Sequence, residues 1–141
     1  MSDATIPTEC QIRYLAIKVQ MMPRDTNPHG TIFGGVLLSY IDQAGATGAR
    51  HVTRCAGWPD HHMVTVAIQS VEFLQPVYVG DVVSFWTRIL RIGRTSIGMH
   101  ISVEADRNGE VIQLTAAEVT YVAVERQGSE QIPVSIRGHS A

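Results

Sequence analysis

No uninterrupted apolar stretch in the 141 residues approaches the roughly 18 that a membrane-spanning helix needs. The opening MSDATIPTEC has neither the basic start nor the apolar centre of a secretory signal. Membrane insertion and signal-led export are therefore not expected, and the chain reads as cytosolic. Cysteine is scarce. Cys10 and Cys55 stand far apart without CxxC spacing, so two free thiols are expected, and neither a disulfide framework nor a zinc knuckle. His51 precedes Cys55 by one helical turn, but the pair fits an ordinary structural cysteine better than an activated thiol. Charge of one sign is also lacking: the net charge of -2 offers no general attraction to nucleic acid. Neither a GxxxxGK[ST] phosphate loop nor a dinucleotide fingerprint occurs, and there is no internal repeat.

What remains is the composition of one globular domain, 45% apolar and 17% charged, near the size at which association helps stability. The chain is organised around residues 23–49, PRDTNPHGTIFGGVLLSYIDQAGATGA. Its first part, 23–31, is dense in turn formers and polar residues and reads as a loop. From Gly34 onward Val36, Leu37, Tyr40, Ile41, Ala44, Gly45 and Gly48 recur at three- and four-residue steps, which places them on one face of a helix. The helix is expected to fade near Thr53, before the glycine and proline of CAGWPD. Asp42 lies inside this apolar helix, where an unpaired carboxylate is costly to keep ionised.

Strands are expected at 11–21, 63–74, 81–92, 95–105 and 110–124, each rich in β-branched residues and bounded by turn residues. Gly93-Arg94 suits a tight reversal and Asn108-Gly109 is a hairpin signal, so consecutive strands should run antiparallel, the last four as a meander. In 95–105, Ile97, Met99, Ile101 and Val103 share one face, and His100 falls on the polar one as a surface histidine. The adjacent His61 and His62 point to opposite faces of an extended chain and lack nearby partners at ligand spacing, so no metal is expected. Residues 1–10 and 125–141 carry no pattern and are expected to be loose, leaving a single domain over 11–124. The sum is an α+β arrangement, the hotdog fold, with a five-stranded antiparallel sheet wrapped around one long central helix.

Three blocks, MPRDTNPHGTIFGG, LLSYIDQAG and VTVAIQSVEFLQPVYVGD, resemble the hotdog acyl-CoA thioesterases, in particular the YciA-type and brain-type acyl-CoA hydrolases. The blocks occur in family order across roughly 12–124. The resemblance implies hydrolysis of acyl-CoA to free CoA and a carboxylic acid. It implies Asp42 as general base on water or as nucleophile, Asn27 as the residue that positions water or carbonyl, and Gly34 with Gly35 as the helix start supplying a backbone donor. Thr65 matches a position where related enzymes carry a hydroxyl near the acid. His29 falls in a variable part of the loop and receives no role. No cofactor is implied, since coenzyme A enters as part of the substrate.

Elementary chemistry supports these roles, because the free N–H groups at a helix start suit a developing oxyanion. Arg88, Arg91 and Arg94 surround the Gly93 reversal and are candidates for the phosphates of coenzyme A. A non-catalytic acyl-CoA sensor on the same fold would need the pocket without the acid, and no helix-turn-helix segment flanks the blocks. A hotdog dehydratase would need a catalytic histidine, and neither His29 nor His51 stands in that context. Eight helical steps separate Gly34 from Asp42, about 12 Å of rise. If both act, one chain cannot bring them to the same thioester, and a homodimer with two shared sites is expected, itself assembling into a tetramer or hexamer.

Overall fold

The apolar periodicity that follows the loop becomes helix α1, Gly34–Cys55, in the computed structural model, which describes residues 6–138. Leu37, Ile41, Ala44, Gly45, Gly48, Ala49 and Val52 form its buried stripe, at the three- and four-residue steps that keep one face inward. Val36 and Tyr40 lie at the margin of that stripe, partly buried against the core. Two glycines in mid-helix each forgo about 1 kcal/mol of helix propensity, and close approach to the sheet is the reason. A Cβ at Gly48 would stand 2.6 Å from the Cβ of Thr87, and one at Gly45 would run into the Tyr121 hydroxyl.

The strands are β1 (Tyr14–Gln20), β2 (His62–Phe73), β3 (Val82–Ile92), β4 (Ser96–Arg107), β5 (Glu110–Gln127) and β6 (Glu130–Pro133). All pairings are antiparallel. The order across the sheet is β1-β3-β4-β5-β2, with β6 beside β5. The sheet curls around α1, which is the hotdog architecture. On β4, Ile97, Met99, Ile101 and Val103 are fully buried. They meet Ile41, Ala44, Phe85, Val119 and Tyr121 in one continuous core.

Three expectations need correction. First, only β3, β4 and β5 form a meander, because β2 pairs with β5 and not with β3. The link between β2 and β3 makes no hairpin, since its backbone bonds elsewhere: Val77 O accepts from Ile32 N at 2.7 Å, and Asp81 O accepts from Met21 N at 2.9 Å. Second, the chain is ordered beyond 11–124. A 3-10 turn, Thr8–Gln11, packs the buried Cys10 against α1. At the other end β5 runs on to Gln127, β6 returns along it, and Ile136 is fully buried. Residues 1–5 and 139–141 lie outside the described residues. Third, Cys10 and Cys55 are joined as a disulfide with their Cα atoms 5.7 Å apart, not free thiols. The pairing arises from the terminal turn docking on the last turn of α1, a tertiary contact that sequence spacing does not reveal.

Candidate active site

The loop ahead of α1 is built around Asn27. Its Oδ1 accepts from the His29 N–H at 2.9 Å and the Thr31 N–H at 3.2 Å, and its Nδ2 donates to Thr31 Oγ1 at 2.9 Å. The backbone closes the same turn, with Asn27 N on Thr31 O at 2.8 Å, and Gly30 takes the left-handed conformation this requires, φ 87°. An amide carries two N–H donors, so one remains for a ligand after the loop is closed. His29 is exposed on this loop, and only its backbone N–H takes part.

The loop delivers the chain to the start of α1 at Gly34. No side chain caps the helix. The Gly34 and Gly35 N–H groups have no hydrogen-bond partner among the described residues, which leaves them with the positive end of the helix dipole. Beside Gly34 opens a mainly apolar cleft of about 330 Å³, lined by residues including Ile32, Leu37, Phe73, Leu74 and Val77. The half-exposed ring of Phe73 stands over Gly34, and that of Phe33 over Gly35.

Two turns further along α1, Asp42 is partly buried at the edge where β2 meets the helix. The Thr65 hydroxyl donates to its Oδ1 at 2.6 Å. Tyr121, on the neighbouring strand β5, donates to the Asp42 main-chain oxygen at 2.7 Å and comes within 3.5 Å of Oδ1. Burial, reinforced by the nearby Asp42 charge, pushes the Tyr121 phenol far above its usual range, so it is present as the neutral donor. The structure thus brings Asp42 and Thr65 together and adds Tyr121. It keeps Asp42 about 12 Å along the helix axis from Gly34 of the same chain.

Arg88 lies on the sheet face opposite α1, because its neighbour Thr87 points inward under Gly48, and the register shift between Ile89 and Arg91 turns Arg91 to the same outer face. Arg91 is already engaged, 3.2 Å from Thr120 Oγ1 and 3.8 Å from Glu118. Arg94 is exposed in the β3–β4 turn. On the same outer face His100 stands between Arg88 and Glu118. Partial burial, then the Arg88 charge, hold it below the usual histidine range. Its neighbours make it less free than the surface histidine expected. Among the described residues no group of three or more His, Cys, Asp or Glu side chains is placed to hold a metal ion. Cys55 is tied to Cys10, and His51 stacks on Tyr14 with ring centroids 3.9 Å apart.

Residues 29–112 match the family model described as the Thioesterase superfamily. The chain belongs to this superfamily. It is 36% identical to the acyl-CoA thioester hydrolase YciA of Escherichia coli over 126 residues, covering 85% of this chain and 91% of that one. Among solved structures, a hexameric hotdog fold thioesterase of Campylobacter jejuni is 39% identical with a TM-score of 0.74, covering 86% of this chain and 90% of the other. An acyl-CoA hydrolase of Staphylococcus aureus, solved with butyryl coenzyme A and coenzyme A, is 26% identical with a TM-score of 0.73, covering 91% and 73%. For a thioesterase, an acid on the central helix and open N–H donors at its start are the parts that thioester hydrolysis calls for. Tyr121 was missed by sequence reasoning. Its one sequence signal was a bulky tyrosine among the inward positions of β5, opposite glycines at helical spacing.

Proposed function

We propose that this thioesterase hydrolyses acyl-CoA, converting thioester and water into a carboxylic acid and free coenzyme A. The observation that carries the reading is the Asp42 carboxylate, fixed by the Thr65 hydroxyl at 2.6 Å on a helix whose core-facing stripe is apolar but for Thr53. Asp42 serves as general base on water or as nucleophile on the thioester carbon. The Gly34 and Gly35 N–H groups meet the oxygen as it gains charge, and the remaining N–H of Asn27 orients water or carbonyl. Coenzyme A is bound as substrate, and of the three arginines Arg94, exposed in the β3–β4 turn, is the candidate for its phosphates, since Arg88 and Arg91 lie on the sheet face away from Asp42. The relatives named above, which act on acyl-CoA by their descriptions, support this substrate class.

The site is shared between two copies of the chain. Reacting groups must lie about 3 Å from the atoms they serve, and the roughly 12 Å between Gly34 and Asp42 of one chain forbids a common substrate. Edge strand β2 supports the same conclusion. Among the described residues it pairs only with β5, yet along its length and just beyond it Val66, Ile68, Phe73 and Leu74 are exposed, and a long apolar edge is a template for another strand. A two-fold partner would cover it and bring its own Asp42 toward this chain's Gly34 and Asn27. Relatives described as hexameric support further assembly of such pairs.

Among the described residues no helix is long and apolar enough to cross a membrane, and a cytoplasmic location is proposed. The Cys10–Cys55 disulfide is the one feature that argues against a reducing compartment.

Release of free thiol from acyl-CoAs of increasing chain length tests the activity. Hydrolysis with a preferred length is expected. Saturable acyl-CoA binding without thiol release would replace the enzyme by a sensor.

A further inference from the structure

Thr65 on β2 and Tyr121 on β5 are direct cross-strand partners, a relation that sets two side chains about 5 Å apart on the same face. Both point at α1 and both hydroxyls converge on Asp42. Thr65 takes Oδ1 at 2.6 Å. Tyr121 takes the main-chain oxygen at 2.7 Å and stands 3.5 Å from the same Oδ1. Tyr121 is fully buried, and only the missing side chain at Gly45 leaves room for its hydroxyl. Among the described residues Oδ2 has no hydrogen-bond partner.

We propose that Tyr121 is a positioning residue for the Asp42 carboxylate: its one proton goes to the Asp42 main-chain oxygen and anchors the helical turn that carries the acid, while Thr65 ties Oδ1 to the sheet, so that Oδ2 is the oxygen presented to water or to the thioester carbon. Gly45 belongs to the same device, since any larger residue displaces the hydroxyl. Burial holds the phenol well above its usual range, so at neutral pH it keeps its proton and remains a donor. The inference rests on the role given to Asp42 above and names the side chain that holds the acid in register.

The experiment is Tyr121→Phe, which keeps the ring and removes only the hydroxyl, assayed by thiol release in the wild-type and the Asp42→Asn backgrounds. A placement error below 1 Å at the reacting atom costs on the order of tenfold or more in rate. Turnover, kcat, is expected to fall about tenfold, with KM within about twofold, because binding is untouched. The slow residual rate of Asp42→Asn should not fall further when Tyr121→Phe is added, since no carboxylate remains to be positioned. A kcat within about twofold of wild type would overturn the proposal, as would an equal loss in both backgrounds, which marks general damage to the fold. An unfolded Tyr121→Phe chain would shift the test to Gly45→Ala, which retains the tyrosine and crowds its hydroxyl, with the same outcomes expected. An active Asp42→Asn protein rejects the assignment of the acid. An inactive one beside a fully active Tyr121→Phe rejects this inference alone.

Discussion

Replacing both cysteines by serine removes the link between the terminal turn and the end of α1. The bond spans 45 residues of sequence, and closing a loop of that length withdraws about 4 kcal/mol of chain entropy from the unfolded state. Cys10 is fully buried while Cys55 is exposed, so one serine hydroxyl also enters the core, and the loss should not be smaller than the entropic figure. With a urea dependence of about 2 kcal/mol per molar for a chain of this size, the unfolding midpoint should drop by roughly 2 M. The assay is urea denaturation followed by circular dichroism, at one protein concentration, because any assembly makes stability depend on concentration. Wild type under non-reducing conditions is compared with Cys10→Ser, Cys55→Ser and with wild type in reductant. The reduced wild type should follow the double variant. Equal midpoints for all three, or two titratable thiols in the protein as isolated, would refute the bond. Trapping the thiols in intact cells would then show in which redox state the pair is held.

Gly48→Ala should lower stability by about 1–2 kcal/mol although alanine is the better helix former, because the new methyl group meets Thr87, itself buried under the helix; a rise in the thermal midpoint would show that helix and sheet are not in close contact there. Asp81 is ion-paired to Arg107, which also holds Pro76 O. Burial alone would raise the Asp81 carboxyl, but the hydrogen bonds from Arg107 and the Tyr78 amide hold it below its ordinary value. The stabilisation is therefore full above the unfolded-state pKa of about 3.9 and disappears as pH falls through the lower folded-state value. Asp81→Asn should lose stability at pH 7 and less near pH 3, and an equal loss at both would contradict the ion pair. Refolding an Asn27→Ala, Gly34→Pro chain together with an Asp42→Asn chain, each inactive alone, should place one intact site in about half of the pairs. About a quarter of wild-type activity should return, and none returning from proven mixed pairs would reject the shared site.

The helix and the strands were legible in the sequence because their signals are local. The steps from Leu37 to Gly48 and the alternation around Ile97 to Val103 each follow from burying one face. The partner of β2 was not legible. Residues 75–81 look like a hairpin link by composition, and what they bond to, Ile32 and Met21, is distant in sequence. The ordered tail was hidden for a similar reason, since a four-residue strand and one buried isoleucine give no periodicity. Of the candidate site, Asp42 and Thr65 were named from resemblance and the fold sets them 2.6 Å apart. Tyr121 escaped because its role depends on the space that Gly45 leaves beneath a helix 76 residues earlier in the chain. The arginines read well as a cluster along the sequence, yet alternation turns Arg88 away from the helix, and a bulge after Ile89 turns Arg91 to the same outer face, away from Asp42.

The central claim is that Asp42 performs the chemistry, and turnover of the best acyl-CoA by wild type, Asn27→Ala and Asp42→Asn measured side by side tests it most directly. A neutral amide can serve neither as base nor as nucleophile, so Asp42→Asn should lose two to four orders of magnitude in kcat with its fold intact. Asn27→Ala, which loosens a loop and removes one donor, should lose less. An Asp42→Asn protein that folds and turns over at near the wild-type rate would contradict the account.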